Sequence, residues 1–195
     1  MSKDLKKAVE VIRQGGIVIF PTDTAFGIGC RIDSKKAVER LFKIRKRPRN
    51  QAMPVLVNGL EMARMYGKEI SPKVMDKLIQ PYWPGALTIV VECEIDKVFE
   101  LVRGGGNTIG LRMPDNEAVL KIISQVGVPV LGPSANFHGE STPFSIKDLN
   151  PKLVGQVDYV LDGECILKKA STVIDVTMRP WQILRQGALN ITIDL

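Results

Sequence analysis

Apolar residues in the first quarter of the chain recur first at helical and then at strand spacing. Residues 5–12 place apolar side chains three and four positions apart, which predicts a helix ending at the glycine pair 15–16. The run 17–20 is short, apolar and rich in β-branched residues, which predicts a buried strand leading into a loop at 21–27. Helical spacing returns over 34–44, so helices and strands alternate from the start.

The same criteria predict the remaining elements. Further helices are expected at 59–66, from Ser71-Pro72 to before Pro81, and from an Asp115 cap to Gly127. Strands are expected at 53–57, 87–91, 108–112, 128–131, 157–161, 172–176 and 182–184. Because the last third carries strands without long helices between them, we predict an α/β fold with a mixed sheet. A length of 195 residues fits a single domain, 1–195.

Composition narrows the class of partner. The net charge of +6 favours an anionic partner, such as a nucleotide, a nucleic acid or a membrane surface. Aromatic residues make up only 6%, too few for a row of base-stacking platforms. Three well-separated cysteines and one histidine, His138, argue against a zinc site or a disulfide framework. Since no signal-like or membrane-spanning apolar run occurs, we expect a soluble cytoplasmic protein.

Residues 43–49 (KIRKRPR) hold five cations at the end of a predicted helix. One interpretation is a solvated cap, because cations complement the negative end of a helix. The other is an anion receptor, because the planar forks of Arg45, Arg47 and Arg49 suit phosphate or carboxylate groups. The charge pattern alone leaves both open.

Four short polar loops follow predicted strands, at 22–24, 112–114, 134–136 and 185–187. Each loop alone is explained by turn chemistry. Because ligands gather at strand ends in α/β sheets, however, the four together predict one cleft. Hydroxyls and amides beside arginines indicate a site for phosphate and carboxylate rather than a metal or thiol site. The sequence has no Walker A or Gly-x-Ser-x-Gly motif.

Seven segments, taken in order and spacing, resemble the YrdC-like family of threonylcarbamoyl-AMP synthases in its single-domain, TsaC-type form. They are GGIVIFPTDTAFGIGC (15–30), RKRP (45–48), YWPGALT (82–88), TIGLRMP (108–114), GPSAN (132–136), STVIDV (171–176) and ILRQG (183–187). The resemblance implies an α/β sandwich with a twisted mixed sheet around a large, positively charged cavity.

The resemblance also implies an activity. Family members convert L-threonine, bicarbonate and ATP, with Mg²⁺ and no organic cofactor, to threonylcarbamoyladenylate and diphosphate. The product serves N6-threonylcarbamoylation of adenosine 37 in ANN-decoding tRNAs. Expected partners are therefore the three substrates, tRNA and a downstream tRNA threonylcarbamoyl-transfer complex, with no membrane. A mobile loop at 143–155 or 103–106 would close over the labile intermediate.

The matching motifs also imply which residues of this chain form the site. The resemblance assigns electrostatic and positioning roles in catalysis to Arg45 and Arg47. The implied ATP-binding residues are Arg45, Arg47, Ser134, Asn136 and Arg185. The implied threonine-binding residues are Thr24, Thr108, Arg112 and Ser171.

Two departures from the family pattern alter the expected site. Phe26 stands where a tyrosine is usual, and Arg45 replaces the usual lysine of the Lys-x-Arg element. A related branch lacks the Lys-x-Arg and Ser-x-Asn elements, whereas this chain keeps the second and a basic version of the first. The alternative function is a non-catalytic double-stranded RNA or tRNA-binding protein of the same fold. Carbamoyl transfer in hydrogenase maturation belongs to much longer, multidomain chains.

Overall fold

The computed structural model describes residues 1–192, which fold into helices and strands. The helices are α1 (Lys3–Arg13), α2 (Lys35–Arg45), α3 (Leu60–Tyr66), α4 (Pro72–Val74), α5 (Gln80–Tyr82), α6 (Glu100–Arg103), α7 (Glu117–Val126) and α8 (Pro151–Val154). The strands are β1 (Val18–Pro21), β2 (Phe26–Gly29), β3 (Val55–Leu56), β4 (Leu87–Glu92), β5 (Thr108–Arg112), β6 (Val130–Leu131), β7 (Tyr159–Val160), β8 (Thr172–Asp175) and β9 (Gln182–Arg185). No described helix is both long and apolar enough to span a bilayer.

The strands form two mixed sheets rather than one. The smaller sheet has the order β2-β1-β7, with β1 antiparallel to β2 and parallel to β7. The larger sheet has the order β6-β3-β5-β4-β8-β9 and also mixes parallel and antiparallel pairs. The α/β class with mixed pairing is confirmed, while the number of sheets was not apparent from strand spacing.

The two sheets meet along β2, a strand that was predicted as part of a loop. Gly27 bridges to Ser134, and the Leu131 amide donates to the Cys30 carbonyl at 2.9 Å. Sequence pattern missed β2 because alternate glycines lower its strand propensity and every position in it is buried. Gly29 permits the close approach: a Cβ there would lie 2.0 Å from the Leu131 carbonyl oxygen.

Two apolar clusters support this arrangement. In one, the apolar face of α1 packs with α7 against Phe20 of β1. In the other, α2 buries Leu41 and Phe42 beside both sheets. Burying the amphipathic face of α2 determines which way its C-terminal end points, and this end carries the basic cluster.

Two predicted helix ends and one predicted loop boundary were wrong. Asn116, not Asp115, caps α7, its side chain accepting from the Val119 amide at 3.1 Å. The helix at 72–82 does not stop before Pro81, because a π-helical segment at Met75–Ile79 widens the turn that precedes the proline. The stretch at 103–106 is not all loop, since Arg103 ends α6 and Gly104 caps it in a left-handed conformation.

We expect Gly29→Ala to lower the free energy of unfolding by about 2–3 kcal/mol, because the new methyl group would overlap the Leu131 carbonyl. The matched control is Gly155→Ala, at a helical backbone position where a Cβ lies 3.5 Å from its nearest neighbour. Urea unfolding of both variants checks this. Equal stability of the two would show that β2 and the segment at Leu131 are not packed as described.

Candidate functional site

One cavity lies where the polar loops and the end of α2 converge. Seven of the nine residues predicted for the site line it: Thr24, Arg45, Arg47, Arg112, Ser134, Ser171 and Arg185. Its described lining contains four arginines and no carboxylate side chain. Loops that follow different strands thus meet at one place, as the loop pattern predicted.

The basic cluster at 43–49 divides between the cavity and solvent. Arg45 and Arg47 line the cavity, whereas Lys43, Lys46 and Arg49 are exposed. Lys46 takes a left-handed conformation at the C-cap of α2 and stacks over the Phe137 ring. The cap interpretation therefore applies to the lysines, while two arginines are directed inward.

Asn136 holds Arg45 in place from behind the cavity wall. Arg45 donates from Nε to the Asn136 carbonyl and from Nη2 to its Oδ1, both at 3.1 Å. Ser134 Oγ donates to the same Oδ1 at 2.6 Å, and Asn136 Nδ2 donates to the Glu140 carbonyl. Asn136 is not among the residues that line the cavity, so its contacts are with Arg45 rather than with the open space.

Arg45 retains unused donor capacity. It is only 3% exposed, and its Nη1 has no partner among the described residues. Burial, with repulsion from Arg47 as a smaller cause, lowers the pKa of Arg45 to about 10. Arg45 therefore stays charged at neutral pH in a setting that disfavours an uncompensated cation, and a bound anion would relieve that cost.

The side chain of Arg47 is held by hydrogen bonds and is not fully exposed to solvent. Its guanidinium donates to the backbone carbonyls of Gln51 and Ala52, and burial lowers its pKa. These contacts anchor the loop after α2 and hold the Arg47 charge at the cavity edge.

A compact turn orients Thr24. Thr22 Oγ1 accepts from the amides of Thr24 and Ala25 at 3.2 and 3.1 Å and donates to the Ala25 carbonyl at 2.7 Å. Thr22 is thus occupied by the turn. Thr24 Oγ1 in turn accepts from Arg112 Nη1 at 2.7 Å, which links the turn to β5.

Arg112 is a buried, rigidly held guanidinium. Nε donates to the Gly85 carbonyl at 2.9 Å, and Nη2 forms an ion pair with Asp23 in which both side chains are under 10% exposed. Burial lowers the pKa of Arg112, and the neighbouring Asp23 carboxylate opposes that shift. Three of its five N–H groups are used, which leaves one on each Nη for a ligand.

Arg185, Ser171 and Thr88 form a chain of hydrogen bonds along the wall. Arg185 donates from Nε to the Ser171 carbonyl at 2.8 Å and from Nη2 to Ser171 Oγ at 2.9 Å. Ser171 Oγ lies 2.9 Å from Thr88 Oγ1. Neither Thr88 nor Thr22 was predicted as a site residue, although both lie within the quoted motifs.

Thr108, a predicted site residue, is not among the residues that line the cavity. It begins β5 opposite Glu92, whereas Arg112 ends the strand at the cavity. The two share a face of the sheet, but four residues of strand separate them by roughly 13 Å. Thr108 therefore lies outside the described cavity lining, and its role in threonine binding stays a prediction.

The described residues include no group of three or more His, Cys, Asp or Glu side chains placed to hold a metal ion. All three cysteines are buried and unpaired, and burial raises the pKa of Cys30 to about 12. His138 is exposed and does not line the cavity.

Comparison with known proteins identifies the family. The model of the Sua5/YciO/YrdC family, described as telomere recombination, matches residues 10–187. The chain belongs to this family. That range includes every residue predicted for the site.

The chain resembles both longer and shorter members of the Sua5/YciO/YrdC family. A threonylcarbamoyl-AMP synthase of Pyrococcus abyssi is 34% identical over 95% of this chain, which spans about half (54%) of that relative. A threonylcarbamoyl-AMP synthase of Vibrio vulnificus is 29% identical over 96% of this chain and the whole of the relative. The uncharacterized protein YciO of Escherichia coli is 30% identical over 94% of this chain and 88% of its own length.

Solved structures of the family superpose closely. P. abyssi Sua5 in complex with L-threonine has a TM-score of 0.89 at 34% identity, covering 94% of this chain and 54% of that one. E. coli YciO has a TM-score of 0.84 at 27% identity, covering 94% and 88% of the two chains. A nucleotide-bound HypF, at 17% identity and a TM-score of 0.81 over 95% of this chain and 29% of its own, shares the fold alone.

We expect Asn136→Ala to weaken binding of inorganic pyrophosphate about tenfold or more, because the Arg45 guanidinium loses the acceptors that orient it. Isothermal titration calorimetry measures the affinity. Asn190→Ala, which removes an exposed amide outside the cavity, is the control and should bind as the unmodified chain does. Unchanged affinity in Asn136→Ala would refute the supporting role of this side chain.

Proposed function

We propose that the chain is an L-threonylcarbamoyladenylate synthase, which converts L-threonine, bicarbonate and ATP to threonylcarbamoyladenylate and diphosphate. The observation that carries the proposal is the presence of two buried arginines in one cavity, each held by different partners. Arg45 is backed by an amide and is suited to phosphate, while Arg112 is backed by a carboxylate and is suited to a zwitterion. Relatives named threonylcarbamoyl-AMP synthase support the same reading.

The phosphates of ATP would bind beside Arg45, Arg47 and Ser134. A phosphate oxygen at Arg45 Nη1 would complete the hydrogen bonding of a buried donor that has no described partner. Charge-assisted bonds of this kind are about twice as strong as neutral ones. Arg185, which lines the same cavity, adds a further cation for the nucleotide.

The amino acid would bind at Arg112. The free N–H groups on Nη1 and Nη2 can both donate to an α-carboxylate, while Thr24 and Asp23 keep the guanidinium in position. Because Asp23 already balances one charge, the local field stays compatible with the substrate ammonium group. Phe26, fully buried in the cavity wall, offers an apolar surface to the threonine methyl but no hydroxyl.

The reaction brings several anions together. The threonine ammonium group loses a proton to solvent, the resulting amine attacks the bicarbonate carbon and water leaves, which yields N-carboxythreonine. One carboxylate oxygen then attacks the α-phosphorus while the bond to diphosphate breaks. Clustered arginines offset repulsion among these groups. Positioning supplies on the order of 7–11 kcal/mol in well-oriented cases, so no covalent nucleophile from the protein is needed.

Mg²⁺ would enter with ATP, as its phosphate-bound counter-ion. Since the described lining holds no metal-ligating carboxylate, the phosphates rather than protein side chains would hold the metal. The metal would neutralise phosphate charge, while Arg45 and Arg47 hold the same phosphates from the protein side.

Placement among the synthases rests on the site residues, because both synthases and YciO proteins are comparably similar to the chain. The chain keeps Ser134 and Asn136 of the Ser-x-Asn element and a basic form of the Lys-x-Arg element. Contact between these two elements through Arg45 and Asn136 supports their joint function. We further propose that the product feeds a cytoplasmic tRNA threonylcarbamoyl-transfer complex acting on adenosine 37.

A direct assay tests the proposal. The protein is incubated with ATP, Mg²⁺, L-threonine and labelled bicarbonate, and diphosphate and the labelled adenylate are measured. We expect diphosphate only when all three substrates are present. RNA binding with no substrate-dependent turnover would overturn the proposal in favour of the non-catalytic RNA-binding alternative.

A pair of Arg45 variants tests the role of this charge. Arg45→Lys restores the usual family residue and should keep kcat/KM within about tenfold, since a cation remains near the phosphates. Arg45→Met should lower kcat/KM by about 100-fold or more. It should unfold at a similar temperature, because replacing a buried cation by an apolar chain costs little stability. Activity of Arg45→Met equal to that of Arg45→Lys would contradict an electrostatic role.

A further inference from the structure

Thr88 is a buried cavity residue whose side chain has a defined orientation. It lies on β4, is 3% exposed and lines the cavity. Its methyl group points toward β5, where a Cβ at Gly110 would lie 3.4 Å from it. Its hydroxyl lies 2.9 Å from Ser171 Oγ. The hydrogen bond to Ser171, with the methyl group on the Gly110 side, defines the orientation of the side chain.

The Thr88–Ser171 pair keeps one hydroxyl hydrogen for a ligand. Ser171 Oγ already accepts from Arg185 Nη2, and one hydrogen lies between the two hydroxyls. Two hydroxyls carry two hydrogens, so one remains free whichever residue donates to the other. Among the described residues, Thr88 Oγ1 has no partner other than Ser171, which leaves it acceptor capacity as well.

The position of Thr88 relative to Arg112 defines which part of a substrate it meets. The β4–β5 register pairs Ile89 with Leu111 and Val90 with Gly110, and one further step places Thr88 opposite Arg112. Directly opposed residues have Cβ atoms about 4.5–5.5 Å apart and lie on the same face. A carboxylate held by Arg112 would therefore present the α- and β-substituents of its amino acid near Thr88.

We infer that Thr88 is a specificity-determining residue, whose hydroxyl, paired with Ser171, exchanges hydrogen bonds with the side-chain hydroxyl of the amino-acid substrate. The inference rests on the proposed function for the choice of threonine. A hydroxyl donates and accepts, which matches the free donor and acceptor of the pair. An analogue without the hydroxyl leaves these buried groups unpaired and is rejected for that reason.

Thr142 also lines the cavity but is only half-buried, and the other buried threonines at this site lack the same combination. Thr22 is occupied by the backbone of its own turn, and Thr24 accepts from Arg112. Thr172, beside Ser171, bonds to the backbone of residues 187 and 189 and is fully buried. Thr88 therefore combines burial, a position in the cavity wall and free hydrogen-bonding capacity.

The experiment compares the full chain with Thr88→Val and Thr88→Ser. Valine removes the hydroxyl and keeps the branched shape against Gly110, while serine keeps the hydroxyl and loses the methyl. Affinities for L-threonine and L-2-aminobutyrate are measured by titration calorimetry, with thermal unfolding as the check on folding. Diphosphate release is measured in parallel on the unmodified chain.

We expect the full chain to prefer threonine over 2-aminobutyrate by about tenfold or more. Thr88→Val should reduce that preference about tenfold by weakening threonine binding, with 2-aminobutyrate affinity within about twofold. Thr88→Ser should keep the preference. An unchanged preference in Thr88→Val, an equal loss for both ligands, or no preference in the full chain would each overturn the inference.

The parallel assay separates this result from the proposed function. A preference that changes as expected, without diphosphate release in the full chain, would refute the synthase reaction and leave the role of Thr88 intact. Diphosphate release from threonine with an unchanged preference in Thr88→Val would refute the role of Thr88 alone.

Discussion

The cavity depends on the burial of two guanidinium groups, Arg45 and Arg112. A buried cation destabilises the folded chain unless acceptors surround it. Asp23 and Thr24 supply these acceptors to Arg112, and Asn136 supplies them to Arg45. Since the acceptors come from loops after different strands, the two sheets must be joined correctly before either arginine is satisfied. The hydrogen bonds of the site therefore also hold together the elements that build it.

Neither arginine uses all of its donors, and the unused ones define what the cavity can bind. Arg45 Nη1 has no described partner, and Arg112 keeps an N–H on each Nη. Unpaired buried donors cost stability in the free protein, and a bound anion offsets that cost. The fold is shared by synthases, YciO proteins and HypF, so the function must be argued from such side chains rather than from topology.

Sequence by itself determined the local elements and the general chemistry. Apolar spacing predicted α1, α2 and most of the strands, because burial of one helix face or one apolar run leaves a periodic pattern. The four polar loops were predicted to converge, and they do, since strand ends in an α/β fold lie at common edges. A cavity rich in arginine and hydroxyl groups followed from the same pattern.

Tertiary structure alone decided which side chains meet. The sequence of five clustered cations does not indicate which of them are buried. The packing of α2 turns Arg45 inward and leaves Lys46 in solvent. Thr88 reads from sequence as an ordinary strand residue, and only the β4–β5 register sets it opposite Arg112. That register likewise takes Thr108 away from the cavity. Strand pairing joins segments that are distant in the sequence, so the residues of one strand do not by themselves predict which strand it pairs with or in which register.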